Sequence, residues 1–134
     1  MNIGEAARRS GISSKMIRHY EQLGLIAPSG RSEAGYRVFS ERDLGLLRFI
    51  RQARSLGFSL EQIGQLVLLW QDEARASLDV KRVAERHLAD LDAKIRTLQT
   101  MRDTLTHLVG HCPASDDPDC PILKRLAAGE DAAG

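Results

Sequence analysis

The chain has 134 residues, 28% of them charged, a net charge of +1 and two cysteines. That length holds one small domain plus an extended helix, and not a second large core. No apolar run approaches membrane-spanning length and Met1 to Ser10 lacks the apolar stretch of a secretion signal, so a cytosolic protein with both cysteines as thiols is expected. Charge is divided unevenly: residues 1–58 hold ten Lys and Arg against five Asp and Glu, and the remainder nine against thirteen. A basic front half is what a chain needs if that end meets a polyanion.

Residues 3 to 10 read as a short helix stopped at Ser10-Gly11. Ser13 or Ser14 can cap a second helix, with Met16, Ile17, Tyr20 and Leu23 on an apolar face and Lys15, Arg18, His19 and Gln22 on the other. Two short helices around a glycine turn, the second with a basic outer stripe, fit a helix-turn-helix, although helical domains that never touch DNA contain the same corner. Gly24 ends the second helix. Leu25-Ile26 is then expected as a short strand, Pro28-Ser29-Gly30 as a turn and Tyr36-Arg37-Val38-Phe39 as a second strand, pairing into a small wing. Arg31, Tyr36 and Arg37 on this wing offer forked guanidinium donors and a hydroxyl, which suit phosphate oxygens; the alternative is a solvated loop whose tyrosine merely packs.

Ser40 with Asp43, and Ser59 with Gln62, have capping-box spacing and open two further helices, the first closed by Gly57. Leu44, Leu47 and Ile50 form the inner face of the first, with Arg48, Arg51 and Arg54 elsewhere on its surface. Leu60, Ile63, Val67 and Trp70 follow at helical spacing, Trp70 expected in the core, and Gln71 to Ala76 make a polar connection. From Ser77 to Val109 there is neither proline nor glycine, and Ala84, Leu88, Leu91, Ile95, Leu98, Leu105 and Val109 fall at alternating steps of four and three, with Arg102 the one lapse. That is a coiled-coil seam. Such a helix would be about 48 Å long, too long for its own chain to cover, so a second copy is expected on it. His19 and His87 read as solvated positions.

The string His111-Cys112-Pro113-Ala114-Ser115-Asp116-Asp117-Pro118-Asp119-Cys120-Pro121 sets two cysteines, each followed by proline, on a compact loop. Pro121 opens a short helix through Leu126 whose positive end faces Cys120 and favours a thiolate. Two soft donors suit Cu(I), Ag(I) or Au(I) in near-linear coordination, whereas Zn(II) would want four. Other readings stand beside this one: His107 and His111 as added ligands in a Cys2His2 zinc site, a reversible disulfide, or two unrelated thiols. No nucleophile-base pair or phosphate-cradling glycine loop can be assembled, so neither an enzyme nor an organic cofactor is expected.

The whole order of elements resembles the MerR family of metal-responsive transcription regulators. The resemblance is carried by Ile17-Arg18-His19-Tyr20-Glu21 with Gly24-Leu25, by Arg31-Ser32-Glu33-Ala34-Gly35-Tyr36-Arg37, and by Arg51-Gln52-Ala53-Arg54 with Gly57-Phe58. Cys112 and Cys120, each before a proline, resemble the family's copper-efflux branch, as does Ser77, where sensors of divalent ions carry a third cysteine ligand. The resemblance implies a mainly α fold: a winged helix-turn-helix DNA-binding domain over residues 1–70, a connection over 71–76, a long antiparallel coiled-coil dimerisation helix over 77–109, and over 110–134 a metal-binding loop, short helix and disordered tail. It implies metal ligands Cys112 and Cys120, with Ser77 and Lys81 beside the site, Lys81 balancing an anionic metal-dithiolate. Lys15, Arg18, His19 and Tyr20 would lie on or beside the helix in the major groove, Arg31, Tyr36 and Arg37 would hold phosphates from the wing, and Arg54 would add a backbone contact. The implied function is Cu(I)-responsive activation of metal-efflux genes, Ag(I) or Au(I) being alternative effectors, by a homodimer that distorts a palindromic promoter for RNA polymerase. A regulator of the same build sensing a divalent ion or redox state, or a cytosolic metal buffer, are the rival readings.

Overall fold

Capping side chains set the helix starts, as the computed structural model shows for the residues it describes, 1–27, 30–113 and 118–129. Asn2 accepts from the Glu5 amide at the head of α1 (Ile3–Ser10), and Ser13 accepts from the Met16 amide at the head of α2 (Ser14–Gln22). Both expected capping boxes form, Ser40 with Asp43 opening α3 (Glu41–Ser55) and Ser59 with Gln62 opening α4 (Leu60–Gln71). Each satisfies amides that a helix start leaves without partners.

The chain divides into two units, Met1–Ala84 and Glu85–Gly134. In the first, α1 packs on α2 and α3, and α3 packs on α4. Their inner faces meet in a core of Ala6, Ile12, Ile17, Tyr20, Ile26, Phe39, Leu46, Leu47, Ile50, Ala53, Ile63 and Val67. The corner between α1 and α2 depends on Gly11, whose φ of 76° is left-handed. A Cβ there would also lie 3.0 Å from Cζ and Nη1 of Arg51, so the turn and the α3 arginine sit hard against each other.

The wing is smaller than the sequence pattern suggests. Strand β1 is Gly30–Arg31 and β2 is Arg37–Val38, antiparallel, with Gly30 opposite Val38 and Arg31 opposite Arg37. Ser32 closes the intervening turn, its carbonyl accepting from Gly35 N–H at 2.9 Å and its amide donating to Tyr36 O at 2.7 Å. Leu25-Ile26, expected as the first strand, is not one: Leu25 N–H donates back to Tyr20 O at 3.0 Å, finishing the end of α2, and Ile26 turns into the core. Pro28-Ser29 of the expected turn lies outside the described residues. Beyond β2, Phe39 is fully buried, and its N–H and C=O pair with the C=O and N–H of Met1 at 2.7 and 2.8 Å.

Three side chains depart from expectation. Leu23, assigned to the apolar face of α2, is exposed, because the left-handed Gly24 ends the helix there. Trp70 is 43% exposed and stacks on Phe49, ring centroids 4.8 Å apart, at the rim of the core rather than inside it. His87, read as solvated, is 5% exposed. It lies four residues after buried Val83 on α5 (Ser77–Gly110), about 100° round the helix from the exposed seam residue Leu88, so burial on this helix is not confined to the face a heptad count follows.

α5 runs unbroken for 34 residues. Within the second unit Leu88, Ile95, Leu98, Leu105 and Val109 of the seam are all more than half exposed. After α5 the chain turns at His111 and Cys112 and reaches α6 (Pro121–Ala128), which opens with proline at its first position as expected.

Candidate nucleic-acid interface and metal centre

With Ile17 and Tyr20 drawn into the core, α2 is left to present its opposite face, on which Lys15, Arg18 and His19 are all exposed. Tyr20, placed above on or beside the groove helix, is only 4% exposed and packs in the core beneath it. A hollow of about 640 Å³ between the start of α1, α2 and the wing is lined by Arg18, Ser32, Tyr36 and Arg37 together with Met1 and Gly4. It brings a groove-face arginine, a wing arginine and the exposed Tyr36 hydroxyl to one concave surface beside the amide end of α1, a combination able to receive phosphate oxygens.

The wing arginines are held rather than loose. Arg37 Nε lies 2.8 Å from Glu21 Oε2, and the Glu21 side chain is only 11% exposed. Its other oxygen, Oε1, is buried without a hydrogen-bond partner among the described residues, so Arg37 is the cation that keeps this carboxylate tolerable. Arg31 donates from Nη1 to Gly35 O at 3.0 Å, across the turn. Arg54 is exposed in the last turn of α3, with Arg51 one turn earlier against Gly11. Sequence reasoning missed both Glu21 as the anchor of Arg37 and the contact of Arg51 with the helix-turn-helix corner. The spacing of Arg51 from Arg48 and Arg54 was visible, but its partner lies in another element and leaves no periodic trace.

The base of this surface is fixed by an ion pair between α1 and α3: Arg9 Nη1 to Glu41 Oε1 at 2.8 Å and Nη2 to Oε2 at 3.2 Å. The hydrogen bond from Arg9 holds the Glu41 carboxyl below its usual range, and the same bond raises Arg9.

In the second unit Cys112 and Cys120 are both free thiols and both half-buried. Cys112 N–H donates to Val109 O at 3.1 Å, closing the turn that ends α5. Cys120 occupies the cap position of α6, yet its side chain makes no capping bond, so its sulfur is not spent on the helix. Residues 114–117 of the intervening loop, including Asp116, lie outside the described residues, as does the tail beyond Gly129. His107 and His111 are exposed at the end of α5, and among the described residues no three His, Cys, Asp or Glu side chains cluster as metal ligands. In the first unit, Ser77 and Lys81 line one shallow hollow with Glu73, Arg75 and Val80. The donor set of two reduced, half-buried thiols, one at a helix start, fits a soft monovalent ion. No helix among the described residues is long and apolar enough to cross a membrane.

Comparison with known proteins agrees with this geometry. Residues 1–68 match the family model described as MerR HTH family regulatory protein, and residues 44–108 match that described as MerR, DNA binding. The chain is 57% identical over 129 residues to Heavy metal-dependent transcription regulator 2 of Rhizobium meliloti (strain 1021), covering 96% of this chain and 88% of that one. It is 55% identical over 133 residues to the HTH-type transcriptional regulator HmrR of Sinorhizobium medicae (strain WSM419), covering 99% and 90%. Its fold matches the crystal structure of the transcription regulator PbrR691 from Ralstonia metallidurans CH34 in complex with lead(II), with a TM-score of 0.83 and 30% identity over 94% of this chain and 98% of that one. A helix-turn-helix, a short arginine wing and a 34-residue helix, matched from end to end, mean that this chain belongs to the MerR family of helix-turn-helix transcription regulators.

Proposed function

We propose that the protein is a Cu(I)-responsive transcription regulator, open also to Ag(I) or Au(I), that binds promoter DNA as a homodimer and activates metal-efflux genes by distorting the promoter. The observation that carries the reading is the pair of free, half-buried thiols at Cys112 and Cys120, with serine and not cysteine at Ser77. Heavy-metal dependence in the name of a relative 57% identical supports a metal effector, and the lead(II) complex of a structural neighbour supports a site in a fold of this kind.

Cys112 and Cys120 would hold the ion, which would supply positive charge and soft bonding to the two sulfurs. Lys81 of the second copy would offset the negative charge that two thiolates leave, with Ser77 beside it. Lys15, Arg18 and His19 would face base edges, Arg31, Tyr36, Arg37 and Arg54 phosphates. An ion shifts a population only by binding one dimer shape better than another. Bending and untwisting a promoter costs of order 1–6 kcal/mol, which a difference in thiolate binding between two shapes can cover. RNA polymerase would then engage both of its promoter elements, and the protein would work in the cytoplasm.

Anaerobic titration of the reduced protein against a competing Cu(I) chelator should give one ion per chain. Cys112→Ser should abolish that binding and, in transcription assays on the cognate promoter, the metal response, while DNA binding persists. Unchanged Cu(I) affinity in the variant would remove the thiolate site, and absence of a discrete complex with any palindromic promoter fragment at moderate salt would leave a metal buffer instead.

A further inference from the structure

We propose that His107 and His111 form a second metal site, for a borderline divalent cation such as Zn(II) or Ni(II), where α5 ends and separate from the thiol pair. Four residues apart, they share one helix face, and their ring centroids are 4.2 Å apart. His111 Nδ1 lies 2.8 Å from the His107 carbonyl oxygen. A carbonyl only accepts, so Nδ1 carries the proton and donates, and in the neutral ring the lone pair is left on Nε2. Metal-binding histidines are oriented in this way, one nitrogen tied to a carbonyl and the other turned to the ion.

Location and donor type point in the same direction. The carbonyl end of a 34-residue helix carries partial negative charge, which favours a cation. Imidazole nitrogen suits Zn(II), Ni(II) and Cu(II), whereas paired thiolates suit the softer monovalent ions, so the two donor sets sort different metals. Both rings are exposed, with room for water to complete the coordination, while Cys112 is half-buried beyond the turn that its amide closes on Val109. An ion joining residues 107 and 111 would brace the last turn of α5 immediately before Cys112.

The probe is the full chain carrying Cys112→Ser and Cys120→Ser, titrated calorimetrically with Ni(II) and with Zn(II) at neutral pH. One ion per chain is expected, and adding His107→Gln or His111→Gln should weaken binding by at least the roughly tenfold that even loss of an outer partner costs a metal site. Nitrogen NMR of the rings should find His111 protonated at Nδ1 and its Nε2 signal displaced by Zn(II). Absence of binding in the thiol-free chain, or equal affinity in the glutamine variants, would overturn the site. So would a wild-type Co(II) complex whose thiolate charge-transfer bands vanish with His107→Gln, since that describes one mixed Cys2His2 centre. Because the probe has no thiols, failure of the Cu(I) reading leaves the result untouched, and Cu(I) affinity should not change in His107→Gln.

Discussion

The two units treat apolar surface in opposite ways. Residues 1–84 bury Ile17, Phe39, Leu47, Ile50 and Ile63 essentially completely against one another. Among the described residues of 85–134 only His87 and Leu108 are buried, while Leu88, Ile95, Leu98, Met101, Leu105 and Val109 each leave more than half their surface to water. The first unit closes a core with its own chain, although Leu56, Leu68 and Leu78 on its surface are more than half exposed. The second exposes a stripe at heptad spacing, interrupted at Arg102, which another helix with the same spacing covers well.

Breaking that contrast should give the largest effect. Aspartate at both Ile95 and Leu98 removes two seam residues from each copy, and at about 1.5–3 kcal/mol per buried aliphatic side chain the four together are worth roughly 6–12 kcal/mol of association. The variant should sediment as a single chain at micromolar concentration and lose operator binding, with the core of residues 1–84 intact. A variant that still sediments as a dimer would show that the seam is not the interface.

The opposite substitution sharpens the comparison. Leu47→Ala opens a cavity in the closed core and should cost about 2–5 kcal/mol, measured by denaturant unfolding. Sedimentation should still report a dimer, because Leu47 lies outside the seam. Loss of the dimer together with the core would mean that the two units do not fold independently.

What could be read in advance follows the same division. Periodicity and capping residues are local, so the helices, both capping boxes and the exposed seam of α5 were visible from residues a few positions apart. Whatever depended on a distant partner was not. Leu25-Ile26 reads as the first strand because an apolar pair resembles one, but the return bond to Tyr20 belongs to the end of a helix. His87 looked solvated because a heptad count follows one face of α5, and Val83 and His87 are buried off that face. Of the expected DNA contacts, Lys15, Arg18 and His19 do emerge on one exposed face. Tyr20 is instead 4% exposed, on the core side of the same helix. The anchoring of Arg37 by Glu21 joins residues 16 apart and has no sequence signal.

The smallest effect concerns the brace between α1 and α3, and its sign follows from the direction of the shift. Glu41 is held below the usual carboxylate range in the folded state, first by the Arg9 hydrogen bond. Its contribution is therefore present in full above the pKa it has when unfolded, and is lost as pH falls through its folded value. Arg9 is raised, so its contribution would fade only at strongly alkaline pH. Glu41→Gln should thus lower stability above the carboxylate range, where the pair is fully formed, and flatten the acid limb. Both side chains are at the surface, so the difference should shrink as salt is added. The wild-type and Glu41→Gln profiles, followed by thermal unfolding of residues 1–84 within the full chain, should be offset above the carboxylate range and converge as pH falls through it. Superimposable acid limbs at low salt would mean that the pair exists without bracing α1 on α3, and that the buried faces of those helices alone hold the corner in place.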